Sequence, residues 1–438
     1  TQNSSIMLKH ILKQLWNRRR ANLWIGVELL LVFCLLWYIV DYFFVLEYNK
    51  SLPSNRDLNN TWQVNVALFP PEHPEYQPGE SDSTALENNY YRLLDRIRDY
   101  KDVEEVAVLT TWSTPGGGSY SGNWLRSRRD TTREGSGQVL TFDPQTDFLK
   151  VFRYTTRDGK PVSVADFDWS DPKAIVLGGL SAETFFPDGN AVGEILESPR
   201  QPDSYNYIVK GVIGDTKRFD YERPQLTFYR AERINADNIK DRMEIAVRAR
   251  ESVPDARFLQ DFKNAMSREL RIGNFYLKGV KSYNRINKDT EFSFGMTSSV
   301  RIRTAMTLFF LINIMLCVMG TFWYRIRVRR EEIGLRMAMG STRADIRKML
   351  LWEGICLLTV MMIPAVLVEM QFVYLGLIDT LGGGNSSSVT YLPDRTVLRF
   401  ILTNCLTWVV LAVAIVAAIW LPADKAAKMA PAEALHYE

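Results

Sequence analysis

The sequence predicts an α-helical membrane protein with four transmembrane helices and an α+β extracytoplasmic domain of two lobes, one inserted in the other. Three observations lead to this prediction. Four apolar runs are each long enough to cross roughly 30 Å of hydrocarbon. A polar stretch of about 250 residues, with no spanning run, separates the first run from the second. Within that stretch, a strand–helix–strand pattern occurs twice, on either side of a different pattern.

The beginning of the chain predicts a membrane anchor. Apolar residues of the segment 7–22 recur at helical spacing with basic residues opposite, so we expect an amphipathic cytoplasmic helix in the membrane interface. Arg18, Arg19 and Arg20 favour a cytoplasmic location for this end. The first span covers residues 23–45. No small-residue cleavage site follows it, which favours an uncleaved span over a signal peptide.

Residues 46–301 form the predicted extracytoplasmic domain. We expect a first lobe from residues 46–110 and 224–301, with residues 111–223 inserted as the second lobe. The first lobe carries the repeated pattern, whose strands alternate in polarity and whose helices have apolar residues at helical spacing. Its predicted elements, in order, are Trp62–Phe69, Ala85–Tyr100, Val103–Thr110, Glu244–Arg250, Asp255–Leu270 and Phe275–Ser282.

The remaining chain predicts three more spans with both termini in the cytoplasm. The predicted segments are a second span at 302–324, a cytoplasmic coupling segment at 325–348, a third span at 349–378, a short external loop at 379–399, a fourth span at 400–421 and a cytoplasmic tail at 422–438. Pro364 predicts a kink or break in the third span, and Pro422 predicts the end of the fourth.

Glu369 is the candidate polar residue inside the membrane. An ionisable side chain in a span is a functional candidate because its burial in hydrocarbon is unfavourable. The alternative is that Glu369 lies close enough to the outer interface to be hydrated, and the sequence leaves both interpretations open.

Composition excludes several classes of function. The net charge is only +3, and the positive charge gathers at span ends, so we expect no nucleic-acid partner. All four cysteines fall in apolar runs, and the three histidines lack metal-ligand spacing. No phosphate-binding loop, GxSxG or HExxH motif occurs in the sequence. We therefore expect no catalytic residues, no bound cofactor and no metal, and a chain that is not itself an enzyme.

The segment between the second and third spans has an unusual composition for a short turn. Eight basic residues lie between Arg325 and Lys348, opposed by three acidic ones. Gly334 and Gly340 allow a close backbone approach or a helix stop. The simpler interpretation is a solvated turn whose arginines set the topology.

Two separated motifs in this part of the chain resemble those of the MacB/FtsX-type ABC transporter permeases. The first is REEIGLRMAMGST, at residues 330–342, between the second and third spans. The second is LPADKAAKMAPAEAL, at residues 421–435, which is similar to the family's closing segment. The resemblance is sharp only from the second span onward; for the middle region only the two-lobed layout is similar.

The resemblance implies a MacB-like permease subunit in the bacterial inner membrane, with a large periplasmic domain and no fused ATPase. Its implied partners are a dimer of ABC ATPase subunits that hold ATP and Mg²⁺, a second permease copy or paralogue, membrane lipid and, in some systems, a periplasmic adaptor with an outer-membrane duct. The expected ATPase-coupling residues are Glu331, Glu332, Ile333, Gly334, Leu335, Arg336 and Gly340. Of these, Ile333 and Leu335 are expected to fill a pocket on the ATPase, and Glu332 and Arg336 to pair on one helix face.

Alternative functions remain open on the sequence. One is an FtsX-like regulator of a cell-wall hydrolase, although the extracytoplasmic stretch is large for that role. Another is a lipoprotein-extracting relative with the same core. A ligand sensor is the third; a sensor would be expected to continue into a cytoplasmic signalling domain, which is not evident in the tail.

Overall fold

This computed structural model describes residues 19–241, 243–375 and 396–428. The chain divides into two compact units. The membrane unit comprises Thr1–Tyr48 and Thr297–Glu438, and the α+β unit comprises Asn49–Met296. The helices, in chain order, are α1 (Arg19–Ser51), α2 (Ser83–Arg98), α3 (Phe148–Val151), α4 (Gly179–Phe185), α5 (Ala236–Asp241), α6 (Asp255–Glu269), α7 (Tyr283–Ser293), α8 (Met296–Val328), α9 (Arg330–Ala338), α10 (Arg343–Tyr374) and α11 (Thr396–Ala427).

Helices α1, α8, α10 and α11 are the four in the described part of the chain that are long and apolar enough to cross a membrane. This confirms the predicted number of spans. Their inward faces form one apolar cluster that includes Phe33, Val318 and Leu358. Gly354 allows α11 to approach α10 closely, because a Cβ atom there would lie 2.4 Å from Cδ1 of Ile419.

Two predictions from proline concern α10 and α11. Helix α10 continues through Pro364, so a break there is wrong, whereas a kink stays a prediction; α11 continues through Pro422 to Ala427 rather than ending there. Proline removes one backbone donor, but packing against neighbouring helices keeps the rest of such a helix formed. Of the predicted coupling segment, residues 325–328 belong to α8 and residues 343–348 belong to α10.

Parts of several predicted segments lie outside the described residues. They are residues 7–18 of the interfacial helix, residue 242 of the first lobe, residues 376–378 of the third span, residues 379–395 of the external loop and residues 429–438 of the tail. The remaining residues of the interfacial helix, the external loop and the tail are helical over most of their length, in α1 and α11.

The strands of the α+β unit form one sheet. In chain order they are β1 (Thr61–Leu68), β2 (Val103–Thr110), β3 (Gly122–Ser127), β4 (Glu134–Phe142), β5 (Ala174–Gly178), β6 (Ile195–Glu197), β7 (Asn206–Ile213), β8 (Thr227–Ala231), β9 (Met243–Ala249) and β10 (Phe275–Ser282). Their spatial order is β10-β1-β9-β2-β4-β3-β6-β7-β5-β8, with a further β4–β8 pairing.

The first lobe contains the predicted strand–helix–strand units, β1-α2-β2 and β9-α6-β10. Its four strands are antiparallel in the order β10-β1-β9-β2, with Trp62 opposite Val247 and Val64 opposite Val280. The apolar stripe of α2 is buried against this sheet together with Phe258 and Phe262 of α6. The arrangement is a split β-α-β fold interrupted between its second and third strands.

The inserted lobe extends further than predicted. Strand β8 lies beyond residue 223, yet it pairs with β4 in parallel and with β5 in antiparallel orientation. The insert therefore runs at least to Ala231. The two lobes are joined through the sheet by the pairing of Leu109 in β2 with Phe142 in β4, and one apolar cluster draws residues from both.

Lys217 binds the end of α1 within the α+β unit. Its buried ammonium donates to the carbonyl oxygens of Asn49, Leu52 and Asp220 at 2.9, 2.7 and 3.1 Å. The carbonyls at a helix C-terminus carry partial negative charge, so a cation there is favourable. Burial lowers the pKa of Lys217, and the charge of Asp220 partly offsets that effect.

Candidate functional site

Helix α9, between the second and third spans, has a defined start and end. Arg329 departs from helical backbone geometry and separates α9 from α8. At the other end, Gly340 has φ of +102°, its N–H donates to Met337 O at 3.1 Å, and Ser341 N–H donates to Arg336 O at 3.0 Å. This is the Schellman helix end, which favours glycine. The segment is therefore a separate helix, and Gly340 is its predicted stop.

Only Ser341 and Thr342 separate Gly340 from the start of α10 at Arg343. Thr342 and Asp345 form a capping box, in which Asp345 N–H donates to Thr342 Oγ1 and Thr342 N–H donates to Asp345 Oδ2 at 3.0 Å. With a Schellman end on one side and a capping box on the other, the turn from α9 to α10 is fixed by its own hydrogen bonds.

One face of α9 is buried in the membrane unit. Ile333 is 1% exposed and packs in the same apolar cluster as Ile346, Leu350 and Ala426, and Gly334 is buried beside it. Ile333 is therefore not available to fill a pocket on a partner, contrary to the prediction. Its apolar character serves the chain's own core because α9 folds back against the spans.

The opposite face of α9 is exposed and partly apolar. Glu331, Leu335 and Met339 follow one another at intervals of four residues, so they lie along one side of the helix. Leu335 is 53% exposed and Met339 is 72% exposed. We call these three residues the α9 stripe. Of the predicted coupling residues, Glu331 and Leu335 lie on it.

A chain of ion pairs holds α9 to α8 and α10. Glu353 of α10 accepts from Arg325 Nη1 at 3.0 Å and from Arg329 Nη1 at 2.9 Å. Arg329 also donates from Nε to Glu332 Oε2 at 2.9 Å, and Arg336 Nη2 donates to Glu332 Oε1 at 2.9 Å. We call these five residues the arginine–glutamate network.

The network is larger than the pair on one helix face that the sequence predicted. Glu332 and Arg336 do pair, but Arg329, only 6% exposed, continues the pairing to the buried Glu353. Hydrogen bonds from Arg329, with the charges of Arg329 and Arg336, outweigh burial and lower the pKa of Glu332 to about 2. Buried charges need such partners, so removing one member leaves another uncompensated.

Sequence reasoning missed Glu353. The available signal was an acidic residue early in an apolar span that follows a cluster of arginines, since intramembrane charges usually have a partner. The separation of 28 residues between Arg325 and Glu353 hid the pairing, because it exists only once α10 folds against α8.

Glu369 lies on α10 away from the network, roughly 24 Å along the helix axis from Glu353. It is 0% exposed, so its side chain is buried among the packed helices, and its distance from the outer interface stays a prediction. Asn404 of α11 lies beside it, yet neither carboxylate oxygen has a hydrogen-bond partner among the described residues. Nearby, Asp41 and Arg399 form a buried ion pair, with one contact of 2.9 Å.

Comparisons with known proteins concern both units. No curated protein matches the chain. Among solved structures, the chain is similar to the periplasmic region of MacB from Actinobacillus actinomycetemcomitans, at 10% identity and a TM-score of 0.28, over 53% of this chain and 93% of that one. It is also similar to the extracellular domain of the noncanonic ABC-type transporter YknZ from Gram-positive bacteria, at 13% identity and a TM-score of 0.29, over 50% and 100%. The fold of this chain is defined by its own strand pairing and helices.

The family comparison covers the candidate site. Residues 304–431 match the model of the FtsX-like permease C-terminal family. The match contains all of α9 and α10, and with them the α9 stripe, the arginine–glutamate network and Glu369. The predicted resemblance is confirmed for this part of the chain: from the second span to the tail, it carries an FtsX-like permease C-terminal domain.

Proposed function

We propose that this chain is the permease subunit of a MacB-like ABC transporter, and that α9 is the element on which its ATPase acts. The observation that carries the proposal is the two-sided character of α9. One face is packed into the spans and tied to them by charges, while the other exposes Leu335 and Met339 in one stripe. A force that the ATPase applies to the exposed face of such a helix can be transmitted to α8 and α10 through the packed face.

The proposed orientation places α9 and both termini in the cytoplasm and the α+β unit in the periplasm of a bacterial inner membrane. The arginines around α9 favour this orientation. Two ATPase subunits, which hold ATP and Mg²⁺, then require two permease subunits, either two copies of this chain or this chain and a paralogue. Movement of the α+β units drives export, with a periplasmic adaptor and an outer-membrane duct as further partners.

The test is to place a charge on the α9 stripe. Burial of one leucine at an interface contributes about 1.5–3 kcal/mol, so Leu335→Asp should weaken ATPase binding by tens of fold. Copurification of the ATPase with the tagged permease and ATP turnover in reconstituted membranes are the readouts. Leu335 is exposed, so membrane insertion should be normal.

The matched control is Ala344→Asp. Ala344 is exposed in the first turn of α10, close in sequence to the stripe but outside it, and an acidic residue at a helix N-terminus is tolerated. This variant should bind the ATPase normally. If Leu335→Asp inserts, keeps its ATPase and transports like the parent chain, the segment is a topological turn and the proposed role of α9 is wrong.

A further inference from the structure

The first lobe of the α+β unit contains a cavity of about 780 Å³. It lies where β1 and β10 meet the end of α5, with Tyr90 of α2 in its wall. Its volume falls within the range of about 300–1,000 Å³ that is usual for small-molecule sites. The proposed coupling of α9 to an ATPase makes no use of it.

The charged side chains among the described residues that line this cavity are all basic. Lys240, Lys278 and Lys281 line it, and none of the described lining residues is acidic. Lys281 also pairs with Asp289 at 2.9 Å, whereas Lys240 and Lys278 form no ion pair with any residue that the structure describes. Three ammonium groups at one opening, two of them without a carboxylate, favour an anion.

The position of Lys278 results from an irregularity in the sheet. The register between β1 and β10 shifts between Asn65 and Val66, so that Asn65 faces Gly279 and Val66 faces Leu277. Lys278 is the extra residue of this bulge. Bulges redirect single side chains and are common beside functional sites.

Besides the lysines and Asn65, several apolar residues line the cavity. Val66, Met243 and Phe275 line the cavity, as does the ring of Tyr90, whose centroid lies 5.7 Å from that of Phe275. The Tyr90 side chain is 1% exposed, and its hydroxyl has no hydrogen-bond partner among the described residues. Because that hydroxyl is itself buried, Tyr90 contributes its ring rather than its hydroxyl to the cavity wall.

We propose that this cavity binds an anionic amphiphile. Its apolar body lies against Val66, Met243 and Phe275, and its acidic group is bound by Lys240 and Lys278. Carboxylate and phosphate headgroups share the chemistry that the lysines recognise.

The test uses the full chain in nanodiscs of zwitterionic lipid, with radiolabelled decanoate as the probe and protein-free nanodiscs subtracted. Unlabelled decyl phosphate and decanol compete as an anionic and a neutral amphiphile of equal chain length. The test variant combines Lys240→Glu with Lys278→Glu. The matched control is Lys263→Glu, because Lys263 is an exposed lysine of α6 that does not line the cavity.

We expect saturable binding of decanoate to the parent chain and to Lys263→Glu. Reversing the charge of the two cavity lysines should weaken binding at least about tenfold without changing the thermal unfolding midpoint. Decyl phosphate should compete and decanol should not; whichever anion binds more tightly identifies the headgroup. The proposal is overturned if no saturable binding occurs, if the double variant binds like Lys263→Glu, or if decanol competes as well as the anions.

Discussion

Two glutamates on α10 are buried in different ways. Glu353 accepts from two arginines, whereas Glu369 has no hydrogen-bond partner among the described residues. A carboxylate without a donor is so unfavourable in an apolar interior that such a group is expected to carry its proton. At the scale of single residues, the same side chain therefore has ion-pair partners in one place and none among the described residues in the other.

Exchanging each glutamate for glutamine should separate the two cases. Glu353→Gln leaves Arg329 buried without its full counter-charge, and we expect a loss of about 3–5 kcal/mol in stability. Glu369→Gln keeps a neutral group of the same shape, so the thermal unfolding midpoint of the purified chain should stay the same or rise. If Glu369→Gln lowers the midpoint as much as Glu353→Gln does, Glu369 is ionised and has a charged partner.

The packing of α9 should depend on pH through Glu332. Its pKa of about 2 lies below its ordinary value of 4.5, because Arg329 and Arg336 bind the anion. A lowered acid pKa stabilises the fold above pH 4.5, and that stabilisation disappears as the pH falls from 4.5 towards 2. A spin label at the exposed Ala338 should thus keep its mobility from pH 7 to pH 5 and become more mobile below.

The control for this experiment is Glu332→Gln. In this variant the label should already be more mobile at pH 7 and should change less in acid. A mobility change in the parent chain that is complete above pH 5 would contradict the assignment, since Glu332 is still ionised there.

At the scale of elements, the turn after α9 depends on one glycine. Gly340 has φ of +102°, which side chains with a Cβ atom rarely adopt, although no atom would contact the Cβ itself. Gly340→Ala should therefore destabilise the α9 end by about 1–2 kcal/mol through backbone strain alone. Thermal unfolding and ATPase coupling of the reconstituted chain measure the effect.

Gly320 offers the matched comparison. It lies inside α8 with open space around its Cβ position, and its φ is not positive. Gly320→Ala should be neutral or stabilising, because alanine is the better helix former. If Gly340→Ala and Gly320→Ala lose the same stability, the positive φ of Gly340 is not the reason that glycine is needed there.

Elements with a local signal could be predicted, and those fixed by distant contacts could not. Strands β1, β2, β9 and β10 alternate in polarity, and α2 and α6 carry apolar stripes, so their positions followed from spacing. Helix α9 was not separable from its neighbours, because the ion pairs that orient it come from α8 and α10. The local effect of Pro364 and Pro422 was overestimated for the same reason: helix packing outweighs it.

At the scale of the whole molecule, the proposed topology has a direct test. The background is a chain whose four native cysteines are replaced by alanine. In cells whose outer membrane has been made permeable, Ser204→Cys should react with a thiol reagent that cannot cross the inner membrane, because Ser204 is exposed in the α+β unit. Ser341→Cys, in the turn between α9 and α10, should react only after the inner membrane is opened. Labelling of Ser341→Cys from outside would show that the orientation is the reverse of the one proposed.

The division into two units has a thermodynamic consequence. Both ends of the α+β unit continue into the membrane unit, at Tyr48 and Thr297. When the α+β unit unfolds while the spans stay packed, it becomes a loop with tethered ends rather than a free chain. A crosslink that closes a loop of about 250 residues removes unfolded-state entropy worth roughly 5 kcal/mol in the chain-entropy estimate.

The packed spans should therefore act on the α+β unit as a disulfide acts on a secreted domain. We expect the excised segment Asn49–Met296, which retains the carbonyls that Lys217 binds, to unfold at lower denaturant concentration than the same residues in the full chain. Joining the two ends of the excised segment by a peptide linker should restore most of the difference. Equal denaturation midpoints for the excised segment and for the same residues in the full chain would show that the packed spans do not hold the two ends when the α+β unit is unfolded. If they are held, the lipid bilayer contributes to the stability of a domain that it does not surround.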